Sequence, residues 1–179
     1  YLAAKCGGDV AMVWIDAHPD ITLPGDPYPG YHAMAVTACM GHGDAKIVAE
    51  LPAAFDPSKI LFVGLRNWER GEIKARQHQY GIKHLTPEEV AADSDALRAW
   101  LKSCGASKVV VHFDMDVLDP AEIVAAVGTD PDGMKIEAVI RVINDIAAEK
   151  ELVGLTVAEP MPRTAIRLRD MLGRLPLLE

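Results

Sequence analysis

Short apolar runs punctuate the chain at residues 10–15, 60–65, 82–85, 108–113 and 152–157, and each reads as a buried strand. The stretches between them change period. Helices are predicted at 34–50, 69–80, 87–103, 135–150 and 165–175, with apolar positions every three to four residues clearest at 87–103 and 135–150. Gly81 and Gly105 stand where helix C-caps are expected. Near-continuous apolar strands alternating with helices predict an α/β domain whose mostly parallel sheet is covered on both faces, a three-layer α/β/α arrangement. Ligands in such sheets bind beyond the carboxyl ends of the strands, so the residues just after each strand are the place to look for chemistry. The chain opens unusually for this class. Tyr1–Lys5 reads as the tail of a helix that Gly7-Gly8 ends before the first strand, so the expectation is that an N-terminal part precedes it.

Length and composition narrow the picture. The 179 residues suit one domain over 1–179 with a sizeable core. A net charge of −8 argues against a nucleic-acid partner, which needs clustered Lys and Arg. It leaves open a cationic substrate and carboxylates that bind metal. No apolar run reaches the roughly 18–20 residues that span a bilayer, and the first residues lack a signal-peptide pattern. Cys6, Cys39 and Cys104 are odd in number and widely spaced, which suits free thiols in a reducing compartment. A cytoplasmic location is the expectation.

The first strand runs into Asp16-Ala17-His18-Pro19-Asp20. In an extended segment, groups at alternate positions share one side, so two carboxylates and an imidazole would converge. Hard oxygen mixed with imidazole nitrogen suits Mn, Fe or Zn better than Ca or Mg. The fourth strand runs into Asp114-Met115-Asp116-Val117-Leu118-Asp119-Pro120. Two neighbouring buried carboxylates repel unless a cation neutralises them. On its own, Phe113-Asp114-Met115-Asp116 is also similar to the nucleophile loop of haloacid-dehalogenase-type phosphatases. That loop normally lies near the start of its domain, and the phosphatase reading gives no role to Asp16–Asp20. Together the two strand ends could serve two adjacent cations, as in sites that hold ions about 3.5–4 Å apart.

These segments carry a family resemblance. Asp16-Ala17-His18-Pro19-Asp20 is similar to the D-A-H-x-D signature, and Phe113 to Pro120 to the F-D-x-D-x-x-D-P signature, of the arginase/agmatinase/formiminoglutamase (ureohydrolase) family. Leu155-Thr156-Val157-Ala158-Glu159-Pro160 looks like the family's later strand end that carries a substrate-binding Glu. The resemblance covers essentially the whole chain, in the family's order. It implies a hydrolase of a guanidino or amidino C–N bond with two Mn2+ ions, acting on a small-molecule guanidino substrate, in a homo-oligomer, trimer or hexamer. Asp16 and Asp114 would serve both metals. His18 and Asp116 would complete one set, and Asp20 would bind the other metal and hydrogen-bond the attacking hydroxide. His32 would relay a proton to the leaving amine, and Glu159 would hold the guanidinium. The family's remaining ligand is a His in an upstream G-G-D-H segment. Gly7-Gly8-Asp9 is followed by Val10 and lies too close to Asp16, so it reads as a helix-to-strand turn. A metal-binding but inactive homologue is therefore an alternative.

Other positions depart from the pattern. The loop Ile21 to Pro29 has Thr22 where arginases place an Asn, and Tyr28 and several prolines make it stiffer and less polar. Thr156 stands where relatives often have Asp, and Val127-Gly128-Thr129-Asp130-Pro131-Asp132-Gly133 replaces a P-G-T-G-T-P segment. Strict arginase specificity is thereby in doubt. Gly64-Leu65-Arg66-Asn67 resembles the family's G-L-R-D, and Glu69 or Glu72 could approach a substrate amine or remain solvated helix charges. Asp119 reads as a turn residue, His42, His78, His84 and His112 as structural, and Trp14 and Trp68 as packing residues.

Overall fold

The computed structural model describes residues 1–28 and 30–178; Pro29, part of the loop singled out above, lies outside the described residues. Five strands alternate with helices: β1 (Val10–Ile15), β2 (Ile60–Val63), β3 (Lys83–Leu85), β4 (Lys108–Asp114) and β5 (Glu151–Ala158). The helices are α1 (Leu2–Lys5), α2 (Ala35–Cys39), α3 (Ala45–Val48), α4 (Gly71–Tyr80), α5 (Asp95–Ser103), α6 (Ile136–Glu149) and α7 (Ala165–Leu172). All strand pairs are parallel, in the order β3-β2-β1-β4-β5. The chain therefore builds outward from β1 in one direction, then crosses back to lay β4 on its other side. Where the order reverses, the connections leaving β1 and β4 diverge and open a crevice at their carboxyl ends. Ile15 and Phe113 are register partners at that point, and Asp16 and Asp114 follow directly.

Two apolar layers flank the sheet. On one face Val13, Ile15, Leu61, Val63, Val111 and Phe113 pack with residues of α5, α6 and α7. On the other, Met12, Trp14, Ile60 and Phe62 pack against Val36 of α2 and Ile73 of α4. The helices follow from their spacing: Val139, Val142, Ile143 and Ile146 form one buried stripe of α6, and Leu97, Trp100 and Leu101 one of α5. Burying each such side chain stabilises by roughly 1.5–3 kcal/mol. α4 stops at Gly81, whose φ of 68° supplies the left-handed C-cap.

Both faces are covered over β1 and β2, but not throughout. In β4 the residues Val109, Val111 and Phe113 are buried while Val110 and His112 on the opposite face are only half-buried, and most of β5 is half-buried as well. The helices after β4 pack on the other side, and on this one Leu2 of the short α1 lies against Gly154.

Two expected helices are shorter. The one anticipated over 34–50 is split into α2 and α3 at Gly41, whose φ is 82°, and Asp44 restarts the second by accepting the Lys46 amide. The one anticipated over 87–103 begins only at Asp95. The Arg141 guanidinium binds the carbonyls of Val90, Ala91 and Asp93, which a helix would need for its own bonds. No helix among the described residues is long and apolar enough to cross a membrane.

Candidate functional site

The crevice at the ends of β1 and β4 is a cavity of about 320 Å³. Its lining includes Asp16, His18, Asp20, His32, Asp114, Asp116 and Glu159, the residues singled out from the sequence. The first motif does not converge by strand alternation. β1 ends at Ile15 and the chain bends through Asp16, Ala17 and His18. Asp16 Oδ1 accepts the His18 amide at 2.6 Å, a local turn that swings the imidazole back beside the carboxylate. The Trp14 indole N–H donates to Asp16 Oδ2 at 2.9 Å, so Trp14 also aims a site residue.

The second motif docks onto the first. Asp114 Oδ1 accepts the Asp116 amide at 2.9 Å, and Asp116 Oδ1 accepts the Ala17 amide at 3.2 Å. His18 Nδ1 lies 2.9 Å from Asp116 Oδ2 and 3.5 Å from Asp16 Oδ1. Beneath this pair, Arg66 donates to the carbonyls of Asp116 and Val117 and, on its other side, to those of Asp130 and Pro131. Gly64, just after β2, has a φ of 84°, and a Cβ there would collide with Val117 Cγ2.

Two participants were not anticipated from sequence. Asp130 Oδ2 lies 3.2 Å from His18 Nε2, and its Oδ1 accepts the Asn67 side-chain amide at 2.9 Å. The only signal was the departure of two segments, 64–67 and 127–131, from the family pattern. His112, expected to be structural, also reaches the site: ligand atoms of Asp16, His112 and Asp114 lie within 4.8 Å of one another. Two further groups meet the same limit, Asp16 with His18 and Asp116, and Asp114 with Asp116 and Glu159.

Asp20, His32 and Glu159 form the walls. Asp20 and Glu159 sit in left-handed backbone, with φ of 48° and 55°, as does Glu69 of the same lining at 58°. His32 Nε2 is 3.0 Å from the Tyr28 hydroxyl. The loop between is stapled by Arg76, which pairs with Asp26 at 2.6 Å and binds the Ile21 carbonyl. Thr22 is committed internally, its hydroxyl donating to the Ala33 carbonyl at 2.7 Å. Glu72 pairs with Arg70 instead of lining the cavity, and Asp119 holds a turn through the Ala121 amide and Lys135. Gly7-Gly8-Asp9 lies at the amino end of the sheet, where Asp9 bonds Ser107.

Without a counter-ion this cluster is electrostatically frustrated. Burial, then repulsion from Asp16 and Asp116, pushes the Asp114 carboxyl up to about 8. Burial likewise raises Asp16 to about 6 and Asp20 well above the usual range. Burial alone would push His18 down, but hydrogen bonds to Asp116 and Asp16 carry it up to about 11. Asp116 is buried too, yet the bond from His18 holds its carboxyl below the usual value. Burial lowers His112 to about 4, leaving a neutral ring. A protonated imidazole thus partly fills a place that the surrounding carboxylates suit to cations. The mixed carboxylate–imidazole donor set fits a borderline divalent metal.

A family model described as the Arginase family matches residues 1–170. The chain is similar to an arginase of Entamoeba histolytica, 29% identical over 166 residues, covering 90% of this chain and 55% of that protein. It is 31% identical over 157 residues to the N(omega)-hydroxy-L-arginine amidinohydrolase of Streptomyces lavendulae, covering 84% of this chain and 51% of that one. Among solved structures, Entamoeba histolytica arginase in complex with L-ornithine aligns with a TM-score of 0.78 at 24% identity, over 87% of this chain and 54% of that chain. Proclavaminate amidino hydrolase of Streptomyces clavuligerus aligns with a TM-score of 0.67 at 21% identity, over 90% and 50%. These structural likenesses bear on the fold. The chain spans about half the length of the curated relatives it matches.

Proposed function

Because this chain belongs to the arginase family, we propose that its crevice is the cation-binding half-site of an amidinohydrolase that cleaves a guanidino or amidino C–N bond with two Mn2+ ions. The observation that carries this reading is the convergence of Asp16, His18, Asp114 and Asp116 at the switch point between β1 and β4. Asp16 and Asp114 would serve both ions, His18 and Asp116 one of them, and Asp20 the other. Bound there, such ions supply Lewis acidity that makes water a nucleophile near neutral pH.

The chain's own residues supply the rest. Glu159, at the rim of the cavity, holds the planar guanidinium through a carboxylate pair and so fixes the carbon to be attacked. Asp20 accepts a hydrogen bond from the attacking oxygen. A C–O bond forms and the C–N bond to the substituent breaks; the hydroxyl proton passes to Asp20 as the new carbonyl forms, and the departing amine takes a proton from His32, whose ring Tyr28 steadies. Asp130 holds the far nitrogen of His18 and keeps the near one aimed at Asp16 and Asp116.

The relatives carry names for several guanidino substrates, and the loop of this chain argues against strict specificity for arginine. Thr22 is spent on Ala33, and Asp26 on Arg76, so neither is free to grip an amino-acid end. The arginase-family match also displaces the phosphatase reading, which had no use for Asp16 and His18. We propose the whole of 1–179 as one domain that works in a cytoplasmic homo-oligomer.

The test is metal content by mass spectrometry after Mn2+ loading, together with urea release from arginine and agmatine. About two ions per chain and urea from either compound support the proposal. Asp114→Asn then lowers both. Ions bound without urea from either compound, here and in the full-length gene product, would favour an inactive homologue, and full activity of the Asp114→Asn protein would sink the metal assignment.

A further inference from the structure

We infer that His112 is the nitrogen ligand of the second cation, completing with Asp16 and Asp114 a set that shares Asp16 with the one built on His18. The inference rests on the two-cation reading above and adds a ligand to it.

The geometry begins in the strand. His112 and Asp114 are two apart on β4, so their side chains leave the same face of the sheet. His112 is in register with Trp14 on one side and Thr156 on the other. Its ring stacks on the Trp14 indole at 3.6 Å between centroids and 14° between planes. Its Nδ1 is 2.8 Å from the Thr156 hydroxyl. The imidazole is therefore pinned on both flanks, and the bond to Thr156 leaves the other ring nitrogen for a ligand. That arrangement is the one metal-binding histidines use, with one nitrogen held by a neighbour and the other on the ion. The same indole that carries the ring donates to Asp16 Oδ2, so one side chain orients two members of the set. His112 is only half-buried, whereas Asp16 and Asp114 are buried.

Charge gives the second line of argument. Asp116 has His18 to offset it at 2.9 Å. Among the described residues no Lys, Arg or His forms an ion pair with Asp114. A buried carboxylate without a cationic partner is costly, and the group it forms with Asp16 and His112 places three donors within 4.8 Å for a cation. Two carboxylate oxygens and an imidazole nitrogen suit Mn2+, Co2+ or Zn2+. Each cation would then have an imidazole of its own, His18 for one and His112 for the other, with Asp16 common to both sets.

The test is calorimetric titration of the metal-free chain with Co2+, with the ions counted by mass spectrometry and the cobalt ligand-field spectrum recorded. Wild type is expected to hold about two ions. His112→Asn should lose one and keep the His18 ion, and His18→Ala should show the reverse. Loss of a direct ligand should weaken the affected ion by more than the roughly 10–100-fold typical of an orienting partner, and Thr156→Val should fall within that range. Two ions bound by His112→Asn at wild-type affinity would overturn the inference while leaving the two-cation reading intact. No ion bound by wild type would overturn both. Should the variants fail to fold, 15N-histidine spectra of the wild-type chain titrated with Zn2+ decide the matter. A His112 ring nitrogen that shifts on saturation supports ligation, and one that stays put refutes it.

Discussion

Replacing Asp114 by Asn should make the metal-free protein more stable and, at the same time, blind to metal. The carboxyl is buried beside Asp16 and Asp116 and titrates near 8 in place of its ordinary 3.8. Its folded-state value lies above its unfolded value, so the sign is fixed. The penalty is absent below about pH 4, grows as pH rises, and is complete above about 8. At pH 7 the folded chain holds a proton that the unfolded chain has released, which costs about 4 kcal/mol at 1.36 kcal/mol per pH unit. Relaxation and water entry bring the expectation to roughly 2–4 kcal/mol. Asn removes the charge and can still accept the Asp116 amide bond that Asp114 Oδ1 now receives. For a domain of this size the gain corresponds to a melting temperature roughly 4–16 °C higher in the absence of metal. Wild type should gain about 2.7 kcal/mol for each ion bound when Mn2+ is present at a hundred times its Kd, and the variant almost nothing. Calorimetric melts at pH 5 and 7, with chelator and with Mn2+, read all of this. The variant's advantage should shrink at pH 5. A metal-free variant less stable than wild type at pH 7, or one that keeps the full Mn2+ shift, would refute the reasoning.

Metal loading should release protons, because Asp16 and Asp114 titrate near 6 and 8 and His18 near 11. Affinity should therefore climb with pH as far as about 11, most steeply below about 6 and least steeply above about 8, and titrations in buffers of different ionisation heat would show no buffer dependence if this is wrong. Asp130→Ala should free the His18 ring and weaken metal binding roughly 10–100-fold, and an unchanged Kd would remove Asp130 from the site. Glu159→Ala should abolish turnover of a guanidino substrate while leaving metal content as it was; loss of bound metal would point to a ligand role instead. Phe113→Ala should lose about 3–5 kcal/mol in urea unfolding, since Phe113 is fully buried between β4 and the helices on that face.

What could be read from the sequence was local. β1 and β4 are contiguous apolar runs, and their chemistry follows within a few residues, so Asp16, His18, Asp114 and Asp116 stood out at once. The reason they meet was not legible, because it is a turn at Asp16 and a crossover that makes β1 and β4 neighbours. His112 escaped because it occupies an ordinary strand position, and nothing in the local pattern says that Trp14 and Thr156 flank it. Asp130 escaped because 112 residues separate it from His18 and only the fold joins them. The helices over 34–50 and 87–103 end or begin elsewhere for a related reason: apolar residues resume at Ala45 past the break at Gly41, and the carbonyls captured by Arg141 lie far from it in sequence.

Asp20, Glu69 and Glu159 all line the cavity from left-handed backbone. Acidic side chains there obey two selections that rarely coincide. The backbone favours Gly and Asn, because any Cβ is crowded at such angles and a branched one most of all. The cavity favours negative charge. A saturation library scored for folded yield should therefore accept Gly and Asn at these positions and reject Val and Ile. The same library scored for guanidino turnover should reject Gly and Asn at 20 and 159 as well. The gap between the two scores would measure, position by position, how much of the wall's composition is owed to its shape and how much to what it holds.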